Sequence, residues 1–166
     1  KKIDIRQLNL EELTSKLTDL GEKPFRAKQI HEWLWKKRAT SFDQMTNLSL
    51  SLRKTIEDNF IINAIQLTEA QKSNDKTIKN AFLLADSSVV EGVLIPTKKR
   101  MTACVSVQVG CSLDCAFCAT GKLKRVRNLN PDEIYDQVVM ISQQSKNEYD
   151  IPLSNIVFMG MGEPLL

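Results

Sequence analysis

The sequence predicts an α+β fold that continues into an α/β fold, and three patterns along its 166 residues support this. Residues 1–60 carry apolar residues at helical spacing. Residues 61–100 alternate β-prone runs with turn formers, and residues 101–166 follow a strand–loop–helix–strand order. These patterns predict a small helical domain, an antiparallel β extension and the first β-α-β unit of a parallel sheet.

The helical segment should form three to four short helices. Asn9 as N-cap and Gly21 as the stop bound the first of them. The second should begin near Pro24 and run through RAKQIHEWLWKK, whose closing cations suit a helix C-terminus. The inward stripe of the first helix should consist of Leu10, Leu13, Leu17 and Leu20.

Two more short helices are predicted before residue 60. Ser41 and Gln44 match a capping box, in which side chains and backbone hydrogen-bond each other at a helix N-terminus. Ser51 should open the last helix. Its inward residues should be Leu52, Ile56 and Phe60. The segment as a whole should therefore be a small bundle with one apolar interior.

Three runs of strand-forming residues follow the bundle, at 64–70, 77–85 and 89–95. Turn formers separate them, SND at 73–75 and DSS at 86–88. Short connections of this kind join neighbouring antiparallel strands, because a parallel pair needs a long crossover. We therefore predict a three-stranded meander.

The last segment changes to a strand–loop–helix–strand pattern. Residues 103–109 resemble a buried strand, 111–128 a long loop, and 156–159 a second strand that ends in Gly160. The helix between them should begin at Asn130-Pro131-Asp132-Glu133, which combines an N-cap, Pro at the first position and Glu at the third. Its inner face should consist of Ile134, Val138 and Ile141. This order predicts parallel strands and a right-handed crossover.

The composition is that of an ordinary soluble globular protein, with 42% hydrophobic and 26% charged residues. No apolar run approaches the ~20 residues that cross a bilayer, and the charged start KKIDIRQ does not resemble a signal peptide. We therefore expect a cytoplasmic protein without a membrane partner. In that reducing compartment four cysteines indicate metal or redox chemistry rather than a disulfide framework. The missing initiator Met and the end at Leu166 predict a fragment.

The net charge of +3 is unevenly distributed. Seven cations lie between residues 98 and 127, against the single acid Asp114. They are Lys98, Lys99, Arg100, Lys122, Lys124, Arg125 and Arg127. A solvated basic surface is the ordinary interpretation of such a run. Because these cations bracket the cysteines, a polyanionic substrate is about equally well supported.

Cys111, Cys115 and Cys118 are spaced C-x3-C-x2-C in the predicted loop. Three thiolates this close can bind three irons of a four-iron cluster and leave the fourth iron open. Tetrahedral zinc would need a fourth ligand, and neither Cys104 nor His31 has zinc-ribbon spacing to the triplet. A set of structural thiols without metal is the third possibility.

The C-x3-C-x2-C spacing resembles the signature of the radical SAM superfamily. Phe117 matches the aromatic residue that packs near the adenine of S-adenosylmethionine in that superfamily. The segment GMGEP at 160–164 is similar to the turn that receives the methionine amino group. There Gly162 would let the backbone approach the ligand, and Glu163 would accept hydrogen bonds from the ammonium.

More of the chain resembles the RlmN family of radical SAM RNA methyltransferases. Matching blocks occur in that family's order, and Cys104 and Glu91 lie within two of them. The blocks are GEKPFRAKQIHEWLWKK (21–37), VEGVLIP (90–96), ACVSVQVGCSLDCAFCATG (103–121), RNL (127–129), EIYDQV (133–138) and GMGEPL (160–165). One departure is Lys124, which stands where the family usually has glycine and leaves the local backbone conformation open.

The resemblance implies a fold and a reaction. The fold would be a helical RNA-binding domain and the start of a partial (β/α)6 radical SAM barrel, truncated after the first β-α-β unit. A [4Fe–4S] cluster and S-adenosylmethionine would methylate carbon 2 of adenine in 23S ribosomal RNA and transfer RNA. The route passes through a methyl-cysteine and a protein–RNA cross-link. Cys104 would resolve that cross-link as a disulfide, and Glu91 would handle the substrate proton.

Without the resemblance, Cys104 would be interpreted as a buried small hydrophobe and Glu91 as an exposed strand residue. The expected partners are ribosomal and transfer RNA and an electron donor such as flavodoxin or ferredoxin, for a monomeric enzyme. The methyl-carrying cysteine should lie beyond Leu166, so we expect the 166 residues alone to be inactive. The alternatives are a carbon-8 adenine methyltransferase of the same family and a non-enzymatic, metal-stabilised RNA-binding module.

Overall fold

The computed structural model describes residues 2–98 and 100–166, so Lys99, one of the predicted cations, lies outside the described residues. The chain forms two compact units, Lys1–Asn63 and Ala64–Leu166. Among the described residues, no helix is both long and apolar enough to span a membrane.

The first unit is the predicted helical bundle. Its helices are α1 (Leu10–Asp19), α2 (Phe25–Trp35) and α3 (Leu50–Asn59). Two 3-10 turns, Ile5–Gln7 and Phe42–Gln44, precede α1 and α3. An unpredicted pair of two-residue parallel strands, β1 (Ile3–Asp4) and β2 (Phe60–Ile61), brings the beginning and end of the unit together.

The helix caps of this unit confirm one prediction and correct two others. Asn9 caps α1 in a full capping box with Glu12, as the pattern predicts. The cap of α3 is Ser49 rather than Ser51, because the Ser49 hydroxyl accepts the N–H of Leu52 at 3.2 Å.

The capping box predicted at Ser41 and Gln44 is wrong. The amide oxygen of Gln44 accepts the backbone N–H of Thr40 at 2.8 Å instead, and the segment makes only a 3-10 turn. Helix α2 also ends at Trp35, so the predicted terminal cations follow the helix rather than occupy its last turn. Local patterns therefore located these elements but misplaced their ends.

The core of the first unit is apolar. All three helices contribute leucine or isoleucine side chains to it, and Leu13, Leu17 and Ile56 are almost completely buried there. Phe42, from the second 3-10 turn, adds a buried aromatic ring. Phe60 is also buried, but from β2 rather than from the end of α3. The predicted inward stripe of α1 is confirmed at Leu13 and Leu17, whereas Leu20 is exposed.

The second unit is built on one five-stranded sheet. Its strands are β3 (Gln66–Lys72), β4 (Ile78–Leu83), β5 (Val89–Pro96), β6 (Met101–Cys104) and, later in the chain, β9 (Asn155–Val157). The order in the sheet is β3-β4-β5-β6-β9, antiparallel up to β6 and parallel between β6 and β9. The predicted meander and the parallel return are both confirmed. Because β5 pairs with β6, the boundary proposed at residue 100 falls inside one sheet.

The single strand predicted over 103–109 is interrupted. Strand β6 ends at Cys104, and a separate strand β7 (Gln108–Val109) pairs with β8 (Arg127–Asn128). Between them, the side-chain amide of Gln137 takes the place of a neighbouring strand. Its oxygen accepts the Ser106 N–H at 2.9 Å, and its nitrogen donates to the Ser106 carbonyl at 3.1 Å. The chain can therefore leave the sheet while its buried backbone N–H and C=O groups keep hydrogen-bond partners.

Helix α4 (Pro131–Tyr149) covers one face of this sheet. A Cβ added to Gly92 on β5 would lie 2.8 Å from the Phe82 ring and 3.1 Å from Ile141, so helix and sheet are in direct contact there. The predicted start is confirmed, since Pro131 occupies the first turn and Glu133 accepts the Asn130 N–H at 2.8 Å.

The inner face of α4 is more polar than its sequence pattern predicts. Ile141 is completely buried, and Ile134 and Val138 pack against the core while partly exposed. Polar side chains of the helix are buried beside them, namely Asp132, Glu133, Asp136, Gln137 and Ser145.

Candidate functional site

Glu91 and Cys104 lie on the same face of the sheet. Cys104 on β6 pairs directly with Val93 on β5, and Glu91 is two residues before Val93. Because side chains alternate along a strand, all three point to one side. Gly92 points to the other side, which α4 covers. The structure thus brings the two predicted catalytic residues to the face opposite the helix.

The surroundings of Glu91 keep its carboxylate accessible. Its side chain is 47% exposed and forms an ion pair with Lys79 on β4, at 2.9 Å. The hydrogen bond to Glu91 raises the pKa of Lys79. An exposed pair of this kind contributes little to stability, so it can open when a substrate arrives.

Cys104 differs in being almost buried, with 8% of its surface exposed. Burial raises the pKa of its thiol, and a hydrogen bond from the Met159 backbone opposes this only in part. A raised thiol pKa means that Cys104 is protonated and weakly nucleophilic at neutral pH. The residue therefore needs a base or a very good leaving group before it reacts.

The three other cysteines lie in the cysteine loop, which we define as residues 110–126, between β7 and β8. The β7–β8 ladder closes the loop at its base, and the Val126 N–H donates to the Val109 carbonyl at 2.8 Å. Gly110 opens the loop with φ +75°, and a Cβ there would lie 2.2 Å from the Lys124 carbonyl oxygen. Only glycine fits at this position, because any side chain would push the two ends of the loop apart.

Lys124 does not need the conformational freedom of glycine. Its φ angle is not positive. Among the described residues, the non-glycine residues with positive φ are Arg38, Lys76, Ser87 and Asp150. Its backbone forms an isolated parallel β-bridge with the backbone of Cys111 across the loop. The departure from the family pattern at this position therefore leaves the loop backbone unstrained.

Within the loop, Cys111, Cys115 and Cys118 are all partly exposed. Backbone N–H groups point at two of the sulfurs. Leu113 donates to the Cys111 sulfur at 3.4 Å, and hydrogen bonds from the Gly121 and then the Thr120 backbone lower the pKa of Cys118. All four cysteines of the chain are free.

These residues fit an iron–sulfur cluster by their chemistry. Cluster sulfurs and cysteine ligands are tuned by N–H donors and by partial exposure, and both are present in the loop. Over residues 2–98 and 100–166, no group of three or more His, Cys, Asp or Glu side chains surrounds a single ion position. The cysteines of a four-iron cluster each bind a different iron, so they do not need to converge on one point.

The glycine turn, residues 160–164, is packed against Ser106, which follows β6, and Gln108, which begins β7. A Cβ on Gly160 would lie 2.7 Å from the Ser106 hydroxyl oxygen, and one on Gly162 would lie 2.5 Å from the Gln108 Cβ. Gly162 also has φ +96°. Glu163 is partly exposed, and its N–H donates to the Gln108 side-chain oxygen at 3.1 Å. Both glycines are therefore required by close approach of the backbone to its neighbours.

Phe117 is 94% exposed, directly before the third cysteine of the loop. The ring is therefore not part of the apolar core. A fully exposed aromatic side chain beside the cysteines leaves its face free to stack on a planar ligand.

Several residues that support this site had no predicted structural role there. Arg127 binds both carboxylate oxygens of Glu133 at 2.8 Å and donates to Asp86 at 2.7 Å. The Arg127 guanidinium lowers the pKa of Asp86 to about 2. This network ties the end of the cysteine loop to the start of α4 and to the β4–β5 turn. From the sequence, Arg127 was identified only as one of the seven cations and as part of the block RNL.

Ser106, Gln108 and Gln137 were missed for a different reason. The first two are polar residues inside a run that otherwise reads as a buried apolar strand, and that contrast was the available signal. All three are at most 1% exposed. Their partners are distant in sequence and could not be read from the pattern.

Five of the seven cations predicted near the cysteines are exposed, whereas Arg127 is partly buried in its ion pairs with Glu133 and Asp86. Lys122, Lys124 and Arg125 lie on the cysteine loop itself, together with the half-exposed Leu123 and the more exposed Val126. Lys98 and Arg100 are also exposed. The loop thus presents a surface that is both basic and apolar.

Comparison with known proteins relates this arrangement to a family. Residues 3–62 match the model of the ribosomal RNA large subunit methyltransferase N-terminal domain. The whole chain is 61% identical to a probable dual-specificity RNA methyltransferase RlmN from Christiangramia forsetii and covers 47% of its length. It is 57% identical to the protein of the same name from Cytophaga hutchinsonii and covers 46% of that protein.

The chain is also similar to a solved structure. The crystal structure of a radical SAM methyltransferase from Sphaerobacter thermophilus matches 98% of the chain, with a TM-score of 0.83 and 36% identity, and the match covers 48% of that protein. The chain spans about half the length of the curated relatives it matches. It therefore belongs to the RlmN family of RNA methyltransferases and corresponds to an N-terminal part of its relatives.

Proposed function

We propose that this chain supplies part of the active site of a radical SAM enzyme that methylates carbon 2 of adenine in 23S ribosomal RNA and transfer RNA. The observation that carries the proposal is the shared sheet face of Glu91 and Cys104 on the paired strands β5 and β6, which β7 and the cysteine loop follow in the chain. The relatives named dual-specificity RNA methyltransferase support the substrate class.

Each site residue has one task in this proposal. Cys111, Cys115 and Cys118 would hold a [4Fe–4S] cluster, Glu163 and the backbone at Gly162 would receive the methionine end of S-adenosylmethionine, and Phe117 would stack on its adenine. When bound, the cluster and S-adenosylmethionine supply the radical chemistry that an electron-poor carbon requires.

Cys104 would act last. Its sulfur would form a disulfide with the methyl-carrying cysteine expected in the other half of the enzyme. The carbon–sulfur bond to the RNA would break, its electron pair would pass to the RNA, and the proton lost by the Cys104 thiol would balance the one gained by the methylene carbon as it becomes the methyl group. Burial keeps the thiol protonated until then, and this prevents premature disulfide formation. The accessible carboxylate of Glu91, on the same face, would take the proton from the substrate carbon.

The partners in this proposal follow from charge and chemistry. The exposed cations of the cysteine loop would contact RNA phosphates, and the helical unit would act as an RNA-binding accessory. An electron donor such as flavodoxin or ferredoxin would reduce the cluster. We propose a monomeric cytoplasmic enzyme.

The test uses a chimaera in which the remaining half of the Christiangramia forsetii relative continues this chain, because the two share 61% identity. After anaerobic reconstitution with iron and sulfide, we expect an EPR signal that changes on addition of S-adenosylmethionine. Transfer RNA treated with the chimaera should contain 2-methyladenosine by mass spectrometry. The 166-residue chain alone should not methylate.

A Cys104→Ala chimaera separates the chemistry from binding. It should keep the cluster signal but accumulate a covalent protein–RNA adduct, because the cross-link can no longer be resolved. Formation of 8-methyladenosine instead would support the carbon-8 alternative. Binding of zinc, with no signal that responds to S-adenosylmethionine in the chimaera, would contradict the proposal and favour an RNA-binding module.

A further inference from the structure

Gln108 lies where the cysteine loop and the glycine turn meet, and it is 1% exposed. Its side-chain oxygen accepts the Glu163 N–H at 3.1 Å. Its side-chain nitrogen donates to the Asn128 side-chain oxygen at 2.9 Å, on the strand that closes the loop, and to the Leu166 carbonyl at 3.1 Å. The amide therefore uses its acceptor toward the turn and a donor toward the loop.

The backbone around Gln108 reinforces this arrangement. The N–H groups of Val107 and Gln108 both donate to the Met161 carbonyl, at 2.9 and 3.2 Å. The Gln108 side chain fills the space that a Cβ on Gly162 would need. The same Asn128 side-chain oxygen also accepts a hydrogen bond from the Arg125 guanidinium, at 2.9 Å. The loop, the glutamine and the turn thus form one continuous hydrogen-bonded chain.

We infer that Gln108 is a positioning residue that sets the spacing between the cysteine loop and the glycine turn. The inference rests on the proposed function, in which one methionine moiety must reach the cluster held by the loop and also Glu163 on the turn. A ligand that contacts two segments at once is sensitive to their separation, since small displacements weaken both contacts.

The amide is the group suited to this task. A buried amide must pair both its oxygen and its nitrogen. Here the oxygen bonds to the turn, while the nitrogen bonds to Asn128 on the strand that closes the loop and to Leu166 after the turn. Glutamate in its place could still accept from Glu163 but could not donate to Asn128. Methionine, of similar size, could do neither and would leave the Glu163 N–H without its partner.

The first experiment needs no cofactor. Amide hydrogen exchange is measured on three forms of the 166-residue chain: the wild type, Gln108→Met and Gln108→Glu. In Gln108→Met, exchange at the Glu163 amide should be about tenfold faster, because one hydrogen bond of ordinary strength is lost. In Gln108→Glu, the Glu163 amide should stay protected while exchange rises on the β8 side of the loop. Unchanged exchange at both segments would overturn the inference.

The second experiment measures S-adenosylmethionine binding in the reconstituted chimaera, by titration of the EPR change. Gln108→Met should bind iron and sulfide like wild type, but with about tenfold weaker affinity for S-adenosylmethionine. If it binds the cofactor with wild-type affinity, the inference is wrong and the proposed function stands. If wild type itself shows no response to S-adenosylmethionine, the proposed function fails.

A matched control excludes general destabilisation. Gln144→Met removes a partly buried amide that exchanges two 2.9 Å hydrogen bonds with Asn80, on α4 and β4. It should lower the free energy of unfolding without changing the affinity for S-adenosylmethionine. Equal loss of affinity in both variants would mean that Gln108 acts only through stability. Should Gln108→Met fail to fold, the exchange pattern of Gln108→Glu decides the question.

Discussion

The two units of the chain differ in what they bury. The helical unit encloses an almost purely apolar core, and its buried polar residues are Asp4 and Arg6 among those described. The sheet unit has an apolar core of similar composition but buries many more polar side chains. They are Asn80, Ser106, Gln108, Asp132, Glu133, Asp136, Gln137 and Ser145.

The difference indicates that buried hydrogen bonds fix the relative positions of segments in the sheet unit, whereas apolar packing is the main contact in the helical unit. Burying a polar group costs free energy unless it is hydrogen-bonded, whereas apolar packing tolerates many arrangements. In the sheet unit the buried amides and carboxylates join segments that are distant in sequence: Gln137 joins α4 to Ser106, and Asp136 accepts the Ile65 N–H at 3.2 Å. The cysteine loop and glycine turn are supported by such contacts.

The largest expected effect comes from comparing one glycine of each unit, Gly110 in the cysteine loop and Gly21 in the helical unit. Gly110 and Gly21 have similar positive φ angles, +75° and +82°, but a Cβ at Gly110 meets backbone at 2.2 Å while one at Gly21 meets nothing within 4 Å. Gly110→Ala should lower the free energy of unfolding by about 3 kcal/mol, through overpacking added to backbone strain. Gly21→Ala should cost about 1 kcal/mol, from strain alone. Denaturant unfolding measures both, and equal losses would contradict the steric argument.

The Glu133 carboxylate offers a second, smaller test. Its side chain is 7% exposed and accepts two hydrogen bonds from Arg127 and one from the Asn130 N–H. Glu133→Gln should cost about 1–3 kcal/mol, because charged hydrogen bonds to a buried group are lost. The control is Glu148→Gln, at an exposed ion pair with Lys72, where chemical denaturation should detect no change. A comparable loss at Glu148 would refute the distinction.

Asp86 should give the smallest effect, seen as a pH dependence. Its pKa falls from 3.8 to about 2 in the folded state because Arg127 hydrogen-bonds the carboxylate. A lowered folded pKa stabilises the protein above the unfolded pKa, and this contribution is lost as the pH falls through the folded value. Asp86 is partly exposed, so we expect a difference below about 1 kcal/mol.

The measurement is the free energy of unfolding of wild type and Asp86→Asn between pH 6 and pH 2, where the folded and unfolded pKa values lie at about 2 and 3.8. Wild type should be more stable at pH 6, and the difference should shrink between pH 4 and pH 2. A constant difference at all pH values would show that charge is not the cause.

Elements with strong local signals were predictable. The capping box at Asn9 and the Pro-containing start of α4 need only neighbouring residues, so both were identified from sequence. The cysteine spacing likewise lies within one loop. By contrast Ser49 and Ser51 are both good helix caps, and packing of Leu52 against the core selects between them.

The sequence by itself determined the presence of α1 to α4, though not all of their ends, together with the meander, the parallel return and the spacing of the three loop cysteines. Each of these depends on periodicity or spacing over a few residues. Only the tertiary structure decided where the strand after Cys104 breaks, that Glu91 and Cys104 share a face, and that Gln108 joins the loop to the turn. The reason is physical. Register and buried hydrogen bonds pair groups tens of residues apart, and a polar residue in an apolar run reveals that it needs a partner but not which one.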